Sequence, residues 1–205
     1  GSGDGCKNCN AGSYGDQSGQ ASQSAACKAC ATGRYQTTAG QATCTACPKG
    51  MYNSQASQTS FAACTMCGPG KYSSSQGATA ESQCNLCGAG KYSDQVKQIA
   101  MGTGTGDGCK TCVAGKYGDE VGQISITVAC KSCIAGRHQA AAGQAACDAC
   151  EAGTYNTETG QSSTAKCVEC GKGKYSSAQG ATAESQCNLC GAGKYGDQAA
   201  QTAMG

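Results

Sequence analysis

Every one of the 20 cysteines in this 205-residue chain belongs to a Cys-x-x-Cys pair, and the ten pairs begin at Cys6, Cys27, Cys44, Cys64, Cys84, Cys109, Cys130, Cys147, Cys167 and Cys187. Two thiols at this spacing can do three kinds of chemistry. They can hold half of a tetrahedral zinc ion, cycle as a redox dithiol, or be committed to structural disulfides. Neighbouring pairs lie 13 to 21 residues apart, which suits a four-cysteine zinc site and makes zinc the strongest rival chemistry. Redox cycling needs one activated thiol on an α/β scaffold, and ten near-equivalent copies without a consistent cationic neighbour do not supply one.

Parity weighs against zinc. The spacings between pairs run 21, 17, 20, 20 and 25, then 21, 17, 20 and 20 again, so a block of 103 residues containing five pairs is used twice. Consuming pairs two at a time would leave an odd one in each block. Near-identical stretches such as ESQCNLCGAGKY at Glu81 and at Glu184 would then sit in different bonding states. A linkage indifferent to parity sends one sulfur of each pair backward and the other forward. Its shortest form joins Cys9–Cys27, Cys30–Cys44, Cys47–Cys64, Cys67–Cys84, Cys87–Cys109, Cys112–Cys130, Cys133–Cys147, Cys150–Cys167 and Cys170–Cys187. Each such loop contributes roughly 3 kcal/mol in the chain-entropy account. Cys6 and Cys190 are left over, and are expected to bond to equivalent cysteines of an adjoining segment.

The elements that position these sulfurs follow a second rule. Three residues after the second cysteine of every pair stands a glycine: Gly12, Gly33, Gly50, Gly70, Gly90, Gly115, Gly136, Gly153, Gly173 and Gly193. Two residues later comes a ring: Tyr14, Tyr35, Tyr52, Tyr72, Tyr92, Tyr117, His138, Tyr155, Tyr175 and Tyr195. The glycine implies a positive φ or a close backbone approach, and the ring is placed to cover a nearby disulfide. Five residues past the ring, seven units carry Gly19, Gly40, Gly77, Gly122, Gly143, Gly160 or Gly180, which reads as the turn of a small hairpin. The expected fold is therefore a small disulfide-rich one: β-hairpin and turn repeats with almost no helix, forming an elongated rod of ten units. The domains are the two five-unit blocks, 1–103 and 104–205. The Gly-rich connection from Val96 to Gly108 is the place for a bend or boundary.

Composition agrees. Leu, Ile, Val and Phe together number 12, about 6% of the chain, too few to close a hydrophobic core. Disulfides must supply what apolar burial does not, and they require an oxidising compartment, so the chain is expected outside the cell. Fifteen basic residues against thirteen acidic ones, scattered singly, argue against nucleic acid. The apolar runs are far short of the ~20 residues of a membrane span.

Most clearly at CGAGKYSDQ and GKYSSSQGATAESQCNLCGAGKY, the chain resembles the ephrin-receptor-like cysteine-rich repeats, relatives in style of tumour-necrosis-factor-receptor and EGF-like modules. All ten units fit. Long arrays with this Gly, Ala, Ser, Thr and Gln flavour look like surface proteins of algae and other protists, including flagellar hairs (mastigonemes) and coat fibres. The resemblance implies extended, disulfide-linked, β-rich rods. One departure is that the proline common after the Cys-x-x-Cys of such repeats appears only at Pro48, so the turn there is expected to differ from family to chain.

Few other residues invite chemistry. His138, the one histidine, occupies a ring position and reads as structural. Asp4, Asp16, Asp107 and Asp119 flank glycines but lack the dense acidic spacing of a calcium loop, and read as turn carboxylates. No nucleophile, base and orienting group recur together, so no catalytic residue, cofactor or metal is expected. Ser and Thr clusters such as Ser73-Ser74-Ser75 and Ser162-Ser163-Thr164 fit solvated turns or O-linked glycans equally. The leading function is a structural subunit of an extracellular filament, flagellar hair or surface coat whose partner is itself; the alternative is an adhesion or receptor stalk binding a protein or glycan. Gly1 aligns with Gly104 and Gly102 with Gly205, so the 205 residues are two blocks less one residue and are expected to be a window on a longer polymer.

Overall fold

A computed structural model describes residues 5–100 and 108–203. Asp4, Asp107, the ends of the chain, the boundary at 103/104 and the middle of the Val96-to-Gly108 connection lie outside the described residues.

Each repeat starts with a turn dictated by its glycine. The amide of Ser13 donates to the carbonyl of Asn10 at 3.1 Å while Gly12 sits at φ +80°, the third position of a turn that only glycine enters without strain. The same bond recurs nine times, and the turn from Pro48 to Met51 is built like the others, with Met51 donating to Pro48 at 3.2 Å. The proline changes nothing in the turn. The next two residues, ending in the ring, form a strand, and its antiparallel partner is the dipeptide enclosed by the following Cys-x-x-Cys. Tyr14 pairs with Lys28, Tyr35 with Thr45, Tyr72 with Asn85, Tyr117 with Lys131 and Tyr175 with Asn188. Nine such two-residue ladders are present among the described residues.

Among the described residues, helix is confined to Gln23–Ala26, Ile126–Ala129 and four single 3-10 turns, each directly ahead of the first cysteine of a pair. Where a serine precedes the turn it caps it: Ser22, Ser60, Ser125 and Ser163 all accept from a backbone amide within the next three residues.

Besides the disulfides, backbone hydrogen bonds join successive repeats. The turn glycine donates to the carbonyl one residue past the next ring, as in Gly33 to Asn53 at 2.7 Å, and the residue after the ring donates into the following connection, as in Gln36 to Gln58 at 2.9 Å. A third bond runs from the connection back to a cysteine carbonyl, as in Gly77 to Cys47 at 2.8 Å. Its donor needs a left-handed backbone. In the three units without a glycine at that place, Ser57, Lys97 and Ala200 take it up at φ +60°, +62° and +58°.

The chain divides into two compact units, Gly1–Cys87 with Ser93–Cys109, and Gly88–Tyr92 with Lys110–Gly205. In both, the interior is largely sulfur. Cys30, Cys47, Cys67 and Cys87 in the first, and Cys112, Cys133, Cys150 and Cys170 in the second, are fully buried. Larger apolar groups contribute only locally. Met51, 2% exposed, packs with Cys47 and Cys64 under Tyr35. Tyr92 packs with Ala129 and the Cys112–Cys130 pair.

Candidate functional site: the sulfur ladder and its open end

The structure contains nine disulfides: Cys9–Cys27, Cys30–Cys44, Cys47–Cys64, Cys67–Cys84, Cys87–Cys109, Cys112–Cys130, Cys133–Cys147, Cys150–Cys167 and Cys170–Cys187. Their Cα–Cα separations run from 5.4 to 5.8 Å, inside the range in which a bond closes without backbone movement. Each bond encloses the first strand of a pair and closes immediately ahead of the second, as Cys9–Cys27 does for Ser13–Tyr14 and Lys28–Ala29. The two cysteines flanking one strand dipeptide point in opposite chain directions, and each enclosed loop hangs on the next.

The rings cover disulfides, though not those nearest in sequence. Tyr35 lies on the cluster holding Cys47 and Cys64, Tyr92 on Cys112 and Cys130, and His138 reaches Cys167. The ring of each of these units thus rests on the bond that joins the next two. The residue after the ring is equally important and carries no obvious signal in sequence beyond being small or polar. Asn53 is buried, donating to the carbonyl of Arg34 at 3.1 Å and accepting from the amide of Gln55 at 3.0 Å. Gln36 and Gln139 are buried likewise, donating to Thr43 at 2.7 Å and Ala146 at 2.8 Å. These side chains fasten the exposed connection to the sulfur interior.

The carboxylates weighed for calcium have other partners where they are described. Asp16 is 2.8 Å from the Lys28 ammonium, and Asp119 is 2.7 Å from that of Lys131. The hydrogen bond from the lysine holds each carboxyl below the usual aspartate range. The serine clusters split by role: Ser73 is buried and donates to Ser75, Ser163 caps a turn, and Ser74 and Ser75 are exposed.

Two sulfurs remain free, Cys6 on the surface and Cys190 half-buried. They are the positional equivalents of Cys109 and Cys87, which are bonded to each other. Around Cys190 the repeat is open. A Cβ on Gly173 or Gly193 would meet nothing within 4 Å, although both glycines already hold φ values of +76° and +81°. Tyr195 is 87% exposed where its equivalent Tyr92 is 8% exposed. A cleft of about 390 Å³ lies there, lined by Cys190, Gly193, Tyr195 and Gln201 among others.

Among known proteins, the family described as tyrosine-protein kinase ephrin type A/B receptor-like matches residues 19–64 and, in an overlapping window, 39–84. The two matches lie in the first block and together cover less than half of the chain. No curated protein matches the sequence. The matching family is a receptor-like cysteine-rich module rather than an enzyme family. The chain is a disulfide-bonded, cysteine-rich tandem repeat protein, and its disulfides together with the receptor-like likeness point to an extracellular or secreted role. No helix among the described residues is long and apolar enough to cross a membrane.

Proposed function

We propose that this chain is a structural segment of an extracellular filament or surface coat, of the kind found in flagellar hairs, that extends end to end through Cys6 and Cys190. The observation that carries this reading is the backbone joint between repeats, which recurs unit after unit along the chain. In the interior of each unit the same glycine turn is covered by the connection two repeats further on: Gly12 by Ser57, Gly33 by Gly77, Gly136 by Gly180. At Gly173 and Gly193 the turn has the conformation but not the cover. Repeats from another copy, or from a continuing chain, fit that face by the same backbone hydrogen bonds, with Cys190 joined to a cysteine of the Cys6 or Cys109 type as Cys87 is to Cys109.

Backbone pairing also suits a load-bearing polymer, because it repeats at each junction whatever the side chains are. The exposed hydroxyls of Ser74 and Ser75 offer attachment points for O-linked sugars on its surface.

The test is assembly of the oxidised chain. Electron microscopy and non-reducing electrophoresis of the wild type should show linear multimers, and C6S or C190S should cap them at dimers or monomers. A wild-type chain that stays monomeric under oxidising conditions contradicts the proposal and favours a receptor or adhesion stalk.

A further inference from the structure

The two blocks differ in chemical character around the disulfide under the seventh ring. In the first block Tyr35 meets Phe61 edge-on at 5.9 Å, over Met51 and the Cys47–Cys64 bond, with Pro48 and Met66 alongside in sequence register. Shifted by one block, Tyr35 becomes His138, Phe61 becomes Thr164, Met51 becomes Thr154, Pro48 becomes Glu151, Met66 becomes Glu169 and Thr45 becomes Asp148. An apolar plug is thereby replaced by a cleft of about 500 Å³ lined by His138, Asp148, Glu151, Thr154, Cys167 and Glu169.

His138 is 6% exposed, yet its ring finds no nitrogen or oxygen partner among the described residues. Its one polar contact is from Nδ1 to Sγ of Cys167 at 3.8 Å. A disulfide sulfur is a weak acceptor, so this contact leaves the imidazole, which lines the cleft, available to another partner. One nitrogen of that ring and the sulfurs of Cys150 and Cys167 lie within 4.8 Å of one another. Zinc bonds of ~2.3 Å to sulfur and ~2.0 Å to nitrogen set tetrahedral sulfur-to-nitrogen edges of about 3.5 Å, close to the separation already present. Access is also unusual. Of the bonded cysteines only Cys27 and Cys167 are not buried, and Cys27 has no imidazole beside it.

We propose that Cys150–Cys167 is a reducible bond and that, once opened by a dithiol, its two thiolates and His138 take up one Zn²⁺. The thiolate of the reductant enters the cleft and attacks Sγ of Cys167. The electron pair of the broken bond passes to Sγ of Cys150, which takes up a proton from water. The second thiolate of the reductant then releases Cys167 and leaves as a cyclic disulfide, so two electrons have entered the site. Zinc displaces the two thiol protons and is bound by Cys150, Cys167 and a ring nitrogen of His138, with water or a cleft carboxylate in the fourth position. Asp148, Glu151 and Glu169 raise the local concentration of the cation. Opening the bond frees one loop of the ladder, and zinc closes it again in a form that a chelator can undo. This inference does not depend on filament formation.

The test uses the full chain with Cys6 and Cys190 changed to Ser, so that their free thiols do not bind metal. Substoichiometric dithiothreitol followed by alkylation and peptide mapping should find Cys150 and Cys167 labelled first. After removal of the reductant, Co²⁺ should bind at one equivalent with a thiolate-to-cobalt charge-transfer band, and zinc should displace it. His138→Tyr, which restores the first-block residue, and His138→Gln should each weaken binding at least tenfold; the other eight disulfides, checked by mapping, report that the variants are folded. Earlier opening of Cys9–Cys27 or any other bond, equal cobalt binding by the oxidised chain, or unchanged affinity in both His138 variants overturns the proposal.

Discussion

The backbone carbonyl oxygen of Gly77 lies so close to the Cα of Gly33 that any Cβ at residue 33 would overlap it. The two residues are two repeats apart, and this close approach recurs between Gly136 and Gly180 in the second block. Replacing Gly33 by Ala should therefore cost the left-handed penalty of about 1–2 kcal/mol plus the displacement of a neighbouring repeat. Gly173→Ala faces open space and should cost only the first of these. Thermal unfolding of the two variants checks the difference. Equal losses would mean that the contact two repeats ahead holds nothing together.

The residues that take a left-handed backbone without being glycine offer a gain. Ser57, Lys97 and Ala200 sit at φ near +60° where seven other units have glycine. Substituting Gly at each should raise stability by about 0.5–1 kcal/mol, less the extra entropy of the unfolded chain. Guanidinium denaturation of the single variants measures it, and a loss of stability would contradict the strain argument.

Asn53 anchors its connection with two hydrogen bonds from a nearly inaccessible position. Asn53→Ala leaves the Arg34 carbonyl and the Gln55 amide to find other partners, and should cost on the order of 1–3 kcal/mol. Amide hydrogen exchange should show the loss as faster exchange at Gln55. Unchanged protection there would show that the side chain is only a spacer.

Acid should loosen two connections together. The hydrogen bond from Lys28 to Asp16 and that from Lys131 to Asp119 lower both carboxyl pKa values below those of the unfolded chain. A depressed carboxyl contributes stability that is fully present above the unfolded value and lost as pH falls through the folded one. Both pairs are exposed, so the effect should shrink in high salt. Carboxyl-carbon NMR titration should place Asp16 and Asp119 below the ordinary aspartate range in the wild type and return them to it in K28A and K131A. The same midpoint with and without the lysines would contradict the assignment.

The sequence displays the period, the turn glycine and the ring because each recurs at a fixed offset from a cysteine, and a scarcity of Leu, Ile, Val and Phe leaves no other plan for folding. Less visible is what holds one repeat on the next. The bonds from Gly33 to Asn53 and from Gln36 to Gln58 are made by backbone atoms, which any residue supplies, so no side-chain pattern announces them. The strand role of the dipeptide inside Cys-x-x-Cys is hidden for the same reason: Lys28-Ala29, Thr45-Ala46 and Asn85-Leu86 share no propensity for strand. His138 does occupy a ring position, as its spacing implies. The cleft beside it draws Asp148 and Glu169 from two strands and Glu151 from the turn between them, and only the fold brings them to one disulfide.

Disulfide mapping of the native, unreduced material tests most directly the claim that repeats run on through a shared sulfur ladder into the next segment. After alkylation of free thiols and proteolysis, mass spectrometry should recover the peptide around Cys190 covalently linked to one carrying a cysteine of the Cys6 or Cys109 type. Recovery of Cys190 as an alkylated free thiol or bonded within its own unit, or of Cys6 bonded to Cys27 or Cys30, would contradict it.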